Sequence, residues 1–139
     1  MTATAEEIIN ACESNWDAHK DDCSGFVKAV AARLEVPLKG MANDIVNATS
    51  MPPWSRLADG VEAARSAAAG RFVVAGLKGG DQAAPSQHGH VVVVVKGDLA
   101  HEKYPTAYWG RLGAVGSKAQ TINFAWNSQD RDKVVYAAM

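Results

Sequence analysis

Cysteine is scarce in this sequence: among 139 residues only Cys12 and Cys23 carry a thiol. One disulfide at most could form, and a domain of this length does not depend on one, so a small cysteine-stapled scaffold is excluded. Long apolar runs are missing too. The longest, Val91 to Val95, falls far short of the roughly 20 residues that span a bilayer, so no membrane insertion is expected. Charge of one sign is also absent. The formal net charge is -1, and no Lys/Arg block reaches the density that tracking a phosphate backbone requires, which removes nucleic acid as a partner. Met1 to Asn10 carry Glu6 and Glu7 where a secretory leader needs a basic region and then an apolar run, so no signal peptide is expected.

What is present is ordinary globular composition, 47% hydrophobic and 21% charged. Residues 1–139 read as one domain, long enough to bury about two-thirds of the surface that the unfolded chain exposes. Thr4 and Glu7 have the spacing of a capping box, and Ile8, Ile9, Cys12 and Trp16 follow at helical intervals, predicting a helix over about 5–16. Asp21 and Asp22 are good N-cap residues. Behind them Cys23, Phe26, Val27, Val30, Ala31 and Leu34 mark one helix face, ending before Pro37. A weaker helix is expected near 42–48, an irregular loop at Met51-Pro52-Pro53-Trp54, and an Ala-rich helix near 57–69 closed by Gly70.

The period then changes. Phe72-Val73-Val74 and Val91 to Val95 are β-branched runs bounded by Gly79-Gly80 and Gly97, and they read as strands. Ala107 to Trp109, the alternating Ile122, Phe124 and Trp126, and Val134 to Tyr136 are further strand candidates, with Ser128 to Lys133 as a turn. Helices followed by an antiparallel sheet make an α+β domain.

The chemistry gathers at two residues. Cys23 falls in the first turn of its helix, where free amides and the helix dipole favour a thiolate and could also hold an oxyanion, although Asp21 and Asp22 oppose the first effect. Cys12, on the apolar face of the first helix, is a core residue. His90 opens the Val91 to Val95 strand directly after Gly89. A histidine at a strand start, packed against the first turn of a helix, can act on a thiol as general base.

Together these residues resemble a known family. Asp22-Cys23-Ser24-Gly25-Phe26-Val27 looks like the nucleophile motif of NlpC-type papain-like peptidoglycan endopeptidases, and Gly89-His90-Val91-Val92 like their histidine strand. One branch is closer still. The chain is similar to the peptidoglycan amidase effectors of the bacterial type VI secretion system through Asn10-Ala11-Cys12, Asn15 to Asp17, Ala75-Gly76-Leu77-Lys78-Gly79, Lys103-Tyr104-Pro105, Gly113 to Gly116 and Asp130-Arg131-Asp132 as well. The resemblance implies the papain-like NlpC-type fold and hydrolysis of the bond between γ-D-glutamate and meso-diaminopimelate in a stem peptide. It also implies a cognate periplasmic immunity protein, and synthesis in the cytoplasm followed by secretion, without a signal peptide, into the periplasm of a target cell. No cofactor is implied. Where many NlpC-type enzymes place a polar residue to orient the imidazole, this sequence reads Ala107-Tyr108-Trp109-Gly110. A backbone carbonyl near Trp109 and the Tyr108 hydroxyl are the two alternatives.

Other residues compete for roles. His88 and His90 form a His-X-His pair that could join Cys23 around a metal, but a fourth ligand at recognisable spacing is missing, and no metal is assigned. His88 reads better as a groove-wall residue that contacts substrate. Trp109 is the aromatic candidate for substrate contact, Trp54 a further one, while Trp126 suits the core on the face of Ile122 and Phe124. The loop from Lys78 to Gln87 precedes His90 and could flank a cleft. Besides an amidase, the residues permit a non-catalytic module of the same fold that binds wall peptide or a partner, and a metal protein using His88, His90 and Cys23.

Overall fold

The computed structural model describes residues 3–139 and shows helices packed on a six-stranded antiparallel sheet. Helix α1 spans Ala5–His19, and its Thr4 side chain accepts from the Glu7 amide while the Glu7 carboxylate accepts from Thr4 N in return. Helix α2 spans Cys23–Arg33, α3 Ala42–Thr49 and α4 Gly60–Ala68. The strands are β1 Ser55–Leu57, β2 Val73–Leu77, β3 His90–Val94, β4 Thr106–Trp109, β5 Ser117–Thr121 and β6 Val135–Ala138, in the order β1-β6-β2-β3-β4-β5.

Period-two alternation on the central strands assigns residues to two cores. Val74, Val91, Val93 and Tyr108 face α1, α2 and α3, where Ile8, Phe26, Val30 and Ile45 complete a dry layer. Val73, Leu77, Val92, Val94 and Trp109 face the other way, toward Ala63 and Ala67 of α4 and toward Ile122, Trp126 and Tyr136. Val91, Val92, Val93 and Val94 are all fully buried, which accounts for a continuous apolar run on a strand covered on both faces. At about 1.5–3 kcal/mol for each fully buried side chain of this kind, that run is a main source of stability.

Three elements differ from the sequence expectation. The Ala-rich stretch begins with strand β1, and α4 starts only at Gly60, because Asp59 caps it by accepting from Glu62 N at 2.9 Å. Polar Ser117–Thr121 forms edge strand β5, with a mostly exposed burial pattern that carries no apolar alternation. Ile122–Phe124 is a 3-10 turn rather than a strand. Phe124 therefore points outward, 65% exposed, and does not share a core face with Ile122 and Trp126.

Candidate active site

Asp22 sets the local geometry of Cys23. Its carboxylate caps α2 by accepting from Gly25 N at 3.0 Å, and its carbonyl accepts from Phe26 N at 2.9 Å. Cys23 thus stands at the first helical position, 6% exposed and unbridged, as is Cys12. The amides of Cys23 and Ser24 remain turned toward the sulfur, joined by that of Val91 from the adjoining strand. Burial nevertheless dominates and pushes the Cys23 thiol up, with Asp22 adding to the rise against the pull of the three amides. The helix start does not by itself deliver a resting thiolate. Burial likewise pushes up the thiol of Cys12, helped by Glu13, as suits a core residue of α1.

His90 begins β3 opposite Leu77 of β2, and its ring falls on the face of Trp109 and Trp126, not on the face covered by α2. The imidazole meets Trp126 edge-on at 5.1 Å between ring centroids and Trp109 at 6.5 Å. Its neighbours are therefore two indoles rather than the first helical turn, which instead meets the main chain of Val91. Cys23 and His90 share a cleft because both stand at the end of the sheet where β3 begins and β4 finishes. There they line one cleft of about 850 Å³. Desolvation, with the positive field of Arg111 second, pushes the imidazole down to about 3, so it is neutral across the physiological range.

Close main-chain approaches build this end of the molecule. A Cβ on Gly110 would lie 2.1 Å from the His19 carbonyl and 2.6 Å from that of Asp22, so only glycine lets the end of β4 reach the α1–α2 turn. Lys20 O then accepts from Arg111 N at 3.1 Å and from Gly116 N at 2.8 Å. On the other bank Asn43 of α3 holds the loop before His90, accepting from Gly79 N at 3.0 Å and donating to Gln87 O at 3.1 Å. Asp130 accepts from Ala83 N at 2.8 Å and fixes the same loop from below. Gln82 of the Lys78 to Gln87 loop lines the cleft, as do His88 and Gly89 just beyond it.

Of the two alternatives for orienting His90, the Tyr108 hydroxyl turns away, while the Trp109 carbonyl accepts from another donor. Tyr108 alternates with Trp109 and so points to the opposite face of the sheet, where its hydroxyl donates to Glu13 Oε2 at 2.5 Å. The Trp109 carbonyl accepts the Trp16 indole N–H at 3.0 Å, a donor shared with Ser117 O at 3.1 Å. His90 Nε2 is buried without a protein hydrogen-bond partner, as are Trp126 Nε1 and Asn123 Oδ1, and all three residues line the cleft.

The other candidates separate clearly. His88 is exposed and stands at the rim, before the strand begins, so it does not alternate with His90 along β3. Among the described residues no three His, Cys, Asp or Glu side chains gather as a metal-binding group. Trp109 lines the cleft but is 1% exposed, so it backs His90 rather than offering an open stacking face. Trp54 packs on Phe72 at 5.7 Å in the helical core, outside the cleft. Trp126 is a core residue beside Ile122 but without Phe124, and it is the closer of the two indoles to His90. Arg111, Asn123 and Asp130 line the cleft as well. The sequence offered a signal for two of them: Arg111 directly follows the Gly110 stretch, and Asp130 heads the Asp130-Arg131-Asp132 motif.

No family model matches the chain. Its sequence is similar to that of the peptidoglycan amidase Tse1 of Pseudomonas aeruginosa, 43% identical over 147 aligned positions that cover 98% of this chain and 91% of that protein.

Proposed function

The chain belongs to the family of the peptidoglycan amidase Tse1, and from that membership and the cleft at the sheet end we propose that it is a cysteine amidase of the bacterial cell wall. The observation that carries the reading is the pairing of a cysteine at a helix start with a histidine at a strand start on one cleft, in a chain aligned over almost its whole length with an amidase. The substrate is a peptidoglycan stem peptide, and the bond cut is the amide between γ-D-glutamate and meso-diaminopimelate. No metal or cofactor takes part. His88 contacts the substrate from the rim, and Trp109, nearly closed to solvent, backs His90 in the cleft wall.

Cys23 Sγ attacks the γ-carbonyl carbon while the neutral His90 imidazole takes the thiol proton. Because burial raises the thiol and lowers the imidazole, this transfer accompanies attack instead of preceding it. The oxyanion of the tetrahedral intermediate is met by the amides of Cys23 and Ser24, since that of Gly25 is already given to Asp22. His90 returns the proton to the leaving amine, and water then hydrolyses the thioester with His90 again as base.

The protein acts as an antibacterial type VI effector in the periplasm of the target cell, made in the cytoplasm, exported by the secretion apparatus and neutralised by a cognate periplasmic immunity protein. Mass spectrometry of purified muropeptides after digestion tests the reaction. Fragments ending at γ-D-glutamate, produced by the wild type and not by Cys23→Ala, are expected. Intact muropeptides would leave a wall-peptide binder without catalysis.

A further inference from the structure

Arg111 is the one Lys or Arg side chain among the described residues lining the cleft. Its position is built rather than incidental: its main-chain amide is held by Lys20 O at 3.1 Å, and one terminal nitrogen donates to Ala125 O at 2.9 Å across the cleft wall. Of five guanidinium N–H donors that bond uses one. No carboxylate of the described residues lies within ion-pair distance of it. The cleft's own acid, Asp130, is committed to Ala83 N and to Lys133 at 3.6 Å. Leu112, Val115, Phe124 and Trp126 line the same cleft. A half-buried, fixed guanidinium with spare donors and no internal acid suits a carboxylate brought in by a ligand, because its planar fork matches carboxylate geometry.

Resting on the amidase reading above, we infer that Arg111 is a specificity-determining residue that receives the free α-carboxylate of the γ-linked glutamate, the anionic group on the residue that donates the scissile carbonyl. The contact selects a donor residue with an anionic group at that reach from the scissile carbonyl over a neutral one. The contact has an electrostatic consequence for catalysis. Arg111 is one of the two influences that push His90 down, and a bound carboxylate offsets its charge, raising the basicity of His90 when substrate is in place.

The test uses the full chain and two stem peptides identical except for an α-carboxylate or an α-carboxamide on the γ-linked glutamate. Wild type should favour the carboxylate stem in kcat/KM by roughly tenfold or more, the usual worth of a charge-assisted hydrogen bond. Arg111→Gln should bring that ratio close to one, and Arg111→Lys should retain part of it. A purely structural tie to Ala125 would slow both stems equally, so an unchanged ratio in Arg111→Gln, or a wild type indifferent to amidation, overturns the inference. A wild type that cuts neither stem defeats the amidase reading instead. Alkylation of Cys23 then still tests Arg111 directly: the rate ratio of anionic iodoacetate to neutral iodoacetamide should fall several-fold in Arg111→Gln, and no fall means that Arg111 does not attract anions to the cleft.

Discussion

Tyr108→Phe separates a catalytic from a structural role for the hydroxyl nearest the expected orienting position. In the structure that hydroxyl serves Glu13 on the helical face, away from His90. The substitution keeps the buried ring and deletes one hydrogen bond. Bonds to charged groups are worth about 1.5–3 kcal/mol, but Glu13 is partly solvated and keeps its ion pair with Lys118 at 3.1 Å, so about 1 kcal/mol of stability is the expected loss. For a domain of this size that lowers Tm by roughly 3–5 °C. The pH dependence has a definite sign. Tyr108, chiefly, with Lys118 second, holds the Glu13 carboxyl below its usual range, and burial with Glu13 pushes the Tyr108 phenol up. The pair therefore stabilises between the ordinary glutamate and tyrosine values, about pH 5 to pH 9, and the difference between wild type and variant should narrow outside that window. Thermal melts from pH 3 to pH 10 measure it, and kcat on muropeptides should stay within about twofold. A tenfold loss of kcat with unchanged circular dichroism would refute this reasoning and return Tyr108 to the catalytic group.

Cys23→Ala should fold normally and release no muropeptide fragments, because Phe26 and Val30 carry the packing of that helix face while the proposed mechanism draws its attacking sulfur from Cys23; near wild-type turnover would dismiss the cysteine. His90→Ala should lower the rate on the order of 10²-fold or more and slow alkylation of Cys23 near neutral pH, whereas unchanged alkylation would show that His90 does not act on the thiol. Because the folded value of His90 is pushed down to about 3, the unfolded chain binds its proton first, so wild-type stability should fall as pH drops from about 6.5. Urea midpoints of His90→Gln should show a shallower decline, and an identical decline would mean that His90 is not buried neutral. Toxicity should appear when the chain is sent to the periplasm by an added signal peptide and not when it stays in the cytoplasm; equal toxicity in both places would point to a different target.

The sequence by itself determined the elements whose signals are local. The Thr4–Glu7 box, the Asp22 cap and the i, i+3, i+4 spacing from Cys23 to Val30 depend on neighbours along the chain, and each is realised in α1 and α2. The same holds for the Val91 to Val94 strand, whose continuous burial is written in four adjacent side chains. Chemistry legible from residue type, a thiol at a helix start and an imidazole at a strand start, also came from the chain alone. Tertiary structure decided what depends on distant partners. Strand β5 exists because its main chain pairs with β4, not because its Ser117–Thr121 side chains alternate. Parity along β4 sent Tyr108 to one face and Trp109 to the other, and which face held His90 was fixed only when β3 paired with β2. The Cys23 thiol was expected to be lowered by its helix end, yet burial outweighs three amides, and burial belongs to the whole fold. Arg111 follows the Gly110 stretch in sequence, but it joins the cleft only because Gly110 lets β4 touch the α1–α2 turn and because Ala125, fourteen residues on, offers a carbonyl at 2.9 Å.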